Sequence, residues 1–131
     1  MISVAVIGGG ASGMAFAVAL KQKRPDIEVT VFEKNPKVLK KILVTGNGRC
    51  NILNFDAVAE NYFEACEFVC PAVEKYAPKK TEAIFRDMGL LLMSEQEGRA
   101  YPISQTAASV VCVLSSAAER AGVKVFTDTP V

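Results

Sequence analysis

The sequence of 131 residues contains no histidine. Histidine is the commonest metal ligand and the commonest general base, so we expect no metal site and no histidine-based acid–base catalysis. Long apolar runs are also missing, since the best candidate, Ala11–Leu20, is too short to span a bilayer. Residues 1–4 lack the basic stretch that begins a secretory signal peptide. We therefore predict a soluble cytoplasmic protein with no membrane partner.

The chain has neither a marked charge excess nor a paired cysteine motif. Its 15 basic and 14 acidic residues give a formal net charge of +1, so nothing global indicates a nucleic-acid partner. The four cysteines contain no CxxC pair. Cys66 and Cys70 are spaced to share one helix face, and we interpret them as small buried hydrophobic residues rather than as a metal or disulfide site.

The clearest motif is a glycine-rich turn between a strand pattern and a helix pattern. The apolar run Val4–Ile7 leads into Gly-x-Gly-x-x-Gly at Gly8–Gly13, which we call the glycine turn. A second apolar run, Glu28–Phe32, ends in Glu33, 20 positions beyond the last glycine. Strand, glycines, helix, strand and acid in this order are typical of a site for an ADP-containing dinucleotide. A purely structural βαβ unit, or a site for a different nucleotide, is the alternative.

Each residue of this motif has a physical role in such a site. Gly8 permits a turn that a Cβ would crowd, Gly10 lets the backbone approach a pyrophosphate, and Gly13 lets helix and strand pack closely. The first amides of the helix, with the positive end of its dipole, form an anion site. Glu33 can accept hydrogen bonds from both hydroxyls of an adenosine ribose, and its charge would repel the 2′-phosphate of NADP.

The hydrophobic pattern predicts an α/β fold with a three-stranded parallel sheet. We expect a helix over Ala11–Lys23, a strand over Glu28–Phe32, and a helix followed by a third parallel strand over Ser104–Phe126. The segment Lys34–Ile103 is predicted to leave the sheet. Within it we expect two helices and a short hairpin, near Glu60–Tyr76, Thr81–Met88, and Leu90–Met93 with Arg99–Tyr101.

The chain therefore divides into a βαβ fingerprint (residues 1–33), an excursion (34–103), and a crossover helix with the third strand (104–131). Parallel sheets are normally covered on both faces, and three strands leave one face partly bare. We therefore expect residues 1–131 to be the incomplete N-terminal part of a larger domain.

A second motif, which we call the basic loop, spans Lys40–Asn51 and includes Gly-Asn-Gly-Arg. Together with Lys34 and Lys37, it places five cations after Glu33 with no acid before Asp56. Glycines let backbone press close to a ligand, and the loop leaves the carboxyl edge of the second strand, beside the predicted pyrophosphate. The alternative is a solvated basic loop with an Asn-Gly turn.

The glycine turn with Glu33, the basic loop, and Gly98-Arg-Ala-Tyr-Pro-x-Ser104 together closely resemble the bacterial family of predicted NAD(P)/FAD-dependent oxidoreductases that includes aminoacetone-oxidase-type and bile-acid-reductase-type flavoproteins. The resemblance covers nearly the whole chain. It implies a Rossmann-like FAD-binding domain of the glutathione-reductase type. It also implies cofactor-binding roles for Gly8, Gly10, Ala11, Ser12, Gly13, Glu33, Lys34, Lys41, Thr45, Gly46, Asn47, Gly48, Arg49, Cys50, Asn51 and, at adenine, Val131.

The resemblance implies a flavoenzyme that passes electrons between a donor such as NAD(P)H and a small-molecule substrate. Its catalytic acid and base are unassigned. Cys50 beside Arg49 could be a thiol redox partner with a depressed pKa, or could pack against FAD. A non-catalytic sensory module and an NAD-dependent dehydrogenase are the rival functions. We expect residues 1–131 alone to bind FAD weakly or not at all, to show no turnover, and to self-associate through the bare face or the edge of the sheet.

Overall fold

The computed structural model describes residues 2–131, including all their side chains except those of residues 63–66. The predicted placement of Cys66 beside Cys70 on one helix face lies outside the described side chains. Six strands and four α-helices follow in the order β1 (Ser3–Ile7), α1 (Ala11–Lys23), β2 (Glu28–Phe32), β3 (Leu53–Asn54), α2 (Cys66–Lys75), α3 (Pro78–Asp87), β4 (Leu92–Ser94), β5 (Arg99–Pro102), α4 (Ala107–Ala121) and β6 (Lys124–Phe126).

The predicted three-stranded parallel sheet is confirmed, with the order β1-β2-β6. Val6 lies opposite Val31, and Val31 lies opposite Val125, so one row of valines crosses all three strands. Because successive side chains alternate between faces, the neighbouring row, which contains Phe32, lies on the other face. The sequence therefore predicted the three strands and their parallel direction correctly.

The helices α1 and α4 pack on each other and cover the valine face of this sheet. Val29, Val31 and Ala17 are completely buried in that core. Helix α4 ends as predicted at Gly122, whose φ of 74° gives the left-handed C-terminal cap that glycine adopts without a Cβ penalty. The fold thereby holds α1 with its first turn at the carboxyl edge of the sheet.

The excursion contains a second, antiparallel sheet with the order β3-β5-β4. The predicted hairpin is confirmed as β4 and β5, whereas the short strand β3 was not predicted. Helix α3 begins at Pro78, earlier than the predicted Thr81, because proline suits the first turn of a helix. A run of 3₁₀ turns over Lys40–Gly48 was also missed, because it contains left-handed residues that break helical periodicity.

The sheet face opposite the helices is apolar at its carboxyl end. Phe32 and Phe126 stack there with ring centroids 5.8 Å apart, and Phe126 is 52% exposed. Ile7, in the same row, is 60% exposed. Among the described residues, none of the helices is both long and apolar enough to cross a membrane.

Candidate functional site

A cleft of about 670 Å³ opens at the carboxyl ends of β1 and β2. In doubly wound folds this edge is where ligands bind, outside the ends of parallel strands. The cleft brings together nine of the sequence-predicted site residues: Gly8, Gly10, Ala11, Ser12, Glu33, Lys34, Lys41, Thr45 and Val131.

The glycine turn fixes the start of α1 against the sheet. Gly8 has a φ of 97° and donates its N–H to the Phe32 carbonyl at 2.8 Å, which ties the turn to β2. A Cβ on Gly13 would collide with the carbonyl oxygen of Gly8. Because of this collision, glycine at position 13 is required for close packing of α1 on β1, as predicted. Gly13 does not line the cleft.

Gly10 is a glycine that the protein itself does not require. Its φ of −78° is accessible to any residue, and an ideal Cβ built on it meets no heavy atom of the described residues within 4 Å. The space that such a Cβ would take belongs to the cleft. Gly10 therefore leaves room for a ligand group to approach the backbone. A bound pyrophosphate needs such an approach.

The first turn of α1 is free to hold an anion. The helical ladder starts with Met14 N–H donating to the Gly10 carbonyl at 3.0 Å, so the amides before Met14 precede the intrahelical bonds. No described side chain caps this end of α1, and its first turn contains no acidic residue. Ala11 and Ser12 line the cleft, so these amides and the positive end of the helix dipole face a possible ligand.

Gly9 was not singled out in the sequence, yet it connects the turn to the acid. Its N–H donates to Oε2 of Glu33 at 2.7 Å, and its carbonyl accepts from Leu39 N–H at 2.7 Å. A Cβ on Gly9 would lie 2.5 Å from Cγ1 of Val38, so close packing requires glycine here. The unbroken Gly-Gly-Gly run was the available signal.

The Glu33 carboxylate is nearly buried, with 8% of the residue exposed, and is held by three protein donors. Asn35 donates both its backbone N–H and its side-chain amide to Oε1, at 2.8 and 2.6 Å, while Gly9 donates to Oε2. Hydrogen bonds from the Asn35 backbone, and then from Gly9, lower the pKa of Glu33, so the group is held as a carboxylate. A carboxylate has about four acceptor positions, so about one remains. We predicted that Glu33 accepts hydrogen bonds from both ribose hydroxyls, but the carboxylate has room for only about one more hydrogen bond.

Four lysines and a terminal segment complete the lining. Lys37 and Lys40 join the predicted Lys34 and Lys41 around the cleft and make its rim cationic. Asn35 and Thr129, which the sequence analysis missed, also line it. Thr129 N–H donates to the Glu33 carbonyl at 2.9 Å, which brings the segment after β6 to the cleft. No local motif marks Thr129, because its position depends on pairing between β2 and β6.

The later part of the basic loop does not line this cleft. Gly46, Asn47, Gly48 and Arg49 do not line it, and Cys50 and Asn51 line a smaller adjoining cavity of about 170 Å³. The two cavities share three lining residues, Ala11, Ile42 and Thr45. The loop folds on itself instead, with Cys50 N–H donating to the Thr45 carbonyl at 3.0 Å.

Arg49 is engaged by the second sheet rather than by the cleft. Its guanidinium donates to Glu95 at 2.9 and 3.1 Å and to Gln105 at 2.9 Å, and it lies 4.0 Å from the centroid of the Tyr101 ring. Cys50 is 5% exposed, and burial raises the pKa of its thiol, which outweighs the opposing hydrogen bond with Thr45. The hypothesis of a depressed Cys50 pKa is therefore wrong.

Comparison with known proteins agrees with this fold. The family described as HI0933-like protein Rossmann domain matches residues 2–131. A 3-dehydro-bile acid delta(4,6)-reductase from Clostridium scindens is 38% identical over 97% of this chain and 31% of its own length. A ribosomal RNA dihydrouridine synthase from Haemophilus influenzae is 27% identical over 92% of this chain and 30% of its own length. The chain thus spans about a third of the length of the curated relatives it matches.

A solved structure has the same fold. The crystal structure of Thermovibrio ammonificans THI4 aligns with a TM-score of 0.62 and 17% identity, over 96% of this chain and 38% of that one. At this identity the likeness shows the fold alone, which is of the Rossmann type.

Proposed function

The chain belongs to the HI0933-like Rossmann domain family, and from that membership we propose that it binds the ADP half of FAD in a flavoprotein oxidoreductase. The proposal rests on one observation, that Gly10 and Glu33 line the same cleft. Gly10 leaves open space at the first amides of α1, and the Glu33 carboxylate, fixed by the neighbouring Gly9, lines the same cleft. Backbone donors for a pyrophosphate and an acceptor for a ribose are the two requirements of an ADP-containing cofactor.

The residues present fit this group. The first-turn amides of α1 would hold the pyrophosphate, helped by the positive charge of Lys41 at the rim of the cleft. Glu33 would accept from the ribose, and Val131 would contact the adenine. Thr45 lies where the first cleft adjoins the smaller cavity, so it would face the flavin side. When bound, the isoalloxazine ring supplies the electron transfer, and the protein supplies position and electrostatics.

For the whole protein we propose transfer of electrons between a donor such as NAD(P)H and an organic substrate. Two relatives are named for reactions on different molecules, a 3-dehydro-bile acid in one and ribosomal RNA in the other. The substrate of this protein is therefore proposed only as an organic molecule.

Titration with ADP, FAD and FMN tests the site. Amide shifts in NMR detect weak binding, which matters because residues 1–131 enclose only part of so large a cofactor. We expect ADP and FAD to shift the amides of Gly8–Gly13 and the side-chain resonance of Glu33. FMN, which lacks the adenylate, should leave them unchanged. A protein that contains this segment should release FAD on denaturation. Release of FMN alone, or no shift with millimolar ADP, would show that the assignment is wrong.

We also propose that residues 1–131 self-associate when isolated. The exposed row of Ile7 and Phe126, with the stacked Phe32, makes an apolar face on the side of the sheet opposite the helices. A sizing column at several protein concentrations measures this. Replacing Phe126 with Ser should lower the apparent mass if this face mediates association, whereas the same mass for both proteins would contradict it.

A further inference from the structure

The two carboxylate oxygens of Glu33 accept different numbers of hydrogen bonds, and the proposed ribose contact does not explain this difference. Both donors of Asn35 converge on Oε1 of Glu33, at 2.8 and 2.6 Å. Among the residues that the structure describes, Oε2 receives only the N–H of Gly9, at 2.7 Å. Each carboxylate oxygen has about two acceptor positions, so Oε1 is filled and Oε2 retains about one.

Asn35 is itself fixed from the other side. Its carbonyl accepts from Asp128 N–H at 3.2 Å, and Thr129 N–H donates to the Glu33 carbonyl at 2.9 Å. The segment after β6 therefore holds the β2 turn, and Asn35 lines the cleft beside the carboxylate. With both its backbone and its side chain committed to these contacts, Asn35 holds the Glu33 carboxylate in one orientation.

We propose that Asn35 is a positioning residue that occupies Oε1 of Glu33 and so leaves Oε2 to accept a single ribose hydroxyl of the bound dinucleotide. The inference rests on the proposed function, since it requires a ribose in this cleft. It predicts that the site discriminates between the two vicinal hydroxyls of that ribose. A carboxylate free at both oxygens would instead accept from the two hydroxyls together.

The deciding measurement compares ADP with 2′-deoxy-ADP and 3′-deoxy-ADP, each titrated into the chain and followed by NMR. We expect one deoxy analogue to bind about tenfold more weakly than ADP, the cost of one hydrogen bond to a charged group, and the other to bind about as well as ADP. Equal affinities of the two analogues, whether both weakened or both unchanged, would overturn the inference. Absence of ADP binding would instead overturn the proposed function first.

Two substitutions separate a donor role from simple space filling. Asn35→Asp keeps size and shape but replaces the donating amide with a second carboxylate, so we expect weaker ADP binding than in Asn35→Ala. A space-filling role predicts the reverse order. Asn61→Ala is the matched control, because the Asn61 side chain accepts from Val58 N–H and lies outside the cleft lining. If Asn35→Asp does not fold, Asn35→Ala and the two analogues still decide.

The titration of Glu33 gives a readout that does not depend on the ligand. Beside the carboxylate lies Lys34, which also lowers its pKa, and the cleft rim adds Lys37, Lys40 and Lys41, while Asp128 follows β6. None of these charges changes in the two variants. We expect the Glu33 pKa, followed by carboxyl NMR, to rise in Asn35→Ala and to rise further in Asn35→Asp. An unchanged pKa in both would overturn the positioning role.

Discussion

The glycine turn and the basic loop are both rich in glycine, and both border the cleft. The structural role of glycine nevertheless differs between Gly10 in the turn and Gly46 in the loop. In the turn, Gly10 has an ordinary φ and open space where a Cβ would stand. In the loop, Gly46 has a φ of 54°, and a Cβ there would lie 2.5 Å from the backbone nitrogen of Asn51. Gly10 keeps space that a ligand could use, whereas Gly46 lets the loop close on itself. Glycine content alone does not distinguish a ligand cradle from a tight loop.

The sharpest test within the turn compares two glycines with the same substitution, beginning with Gly13→Val. A Cβ at Gly13 would meet the carbonyl oxygen of Gly8, which belongs to rigid backbone. We expect the free energy of unfolding to fall by about 3 kcal/mol or more, as in severe overpacking. Thermal denaturation followed by circular dichroism measures this. Phe16→Val, at a half-exposed position of the same helix, controls for the helix propensity of valine. Equal melting temperatures for the two variants would contradict the packing role.

Gly10→Val should leave the stability unchanged and instead weaken ligand binding. Its φ of −78° and ψ of −174° suit a β-branched residue, so we expect an unchanged melting temperature. The valine would fill the space over the first amides of α1, and we expect ADP affinity to fall about a hundredfold, or about 3 kcal/mol. Calorimetry or NMR titration measures the affinity. A variant that binds ADP normally would show that no ligand uses this space.

The difference between the regions also explains how far the sequence could predict them. The glycine turn is a local unit whose strand, turn and helix are consecutive, so spacing alone was enough to predict that Gly8 follows β1, that Gly13 lies in α1 and that Glu33 follows β2. The partners of Arg49 are 46 and 56 positions away, in and after the hairpin, and no local pattern joins them. Thr129 reaches the cleft only through the pairing of β6 with β2. Contacts made by long-range packing are the part that spacing did not reveal.

Arg49→Ala should therefore affect the loop and spare the turn. The Arg49 side chain is 37% exposed, so loss of its ion pair with Glu95 and its contact with Tyr101 should cost about 1 kcal/mol of stability. ADP affinity should stay unchanged, because Arg49 does not line the cleft. Arg99→Ala is the control, since Arg99 pairs with Glu97 in a more exposed position. A drop in ADP affinity specific to Arg49→Ala would place its side chain at the ligand after all.

The smallest expected effect is the dependence of stability on pH. Its direction is opposite for Glu33 beside the turn and for Cys50 in the loop. Hydrogen bonds lower the pKa of Glu33, so its contribution to stability is present above its ordinary pKa and is lost as the pH falls. Burial raises the pKa of Cys50, so its contribution is present below its ordinary pKa and is lost as the pH rises through the raised value. Acid should thus weaken the turn first, and alkali should weaken the loop first.

Alkylation with iodoacetamide, resolved by peptide mass spectrometry, tests the alkaline half of that statement. The thiolate is the reacting species, so the buried Cys50 should be modified much more slowly than the exposed Cys112 at neutral and mildly alkaline pH. Urea should remove the difference, since unfolding exposes both thiols. Equal rates in the folded protein would mean that the loop opens readily. Cys50 would then be accessible beside the cleft, and the contrast between an open turn and a closed loop would fail.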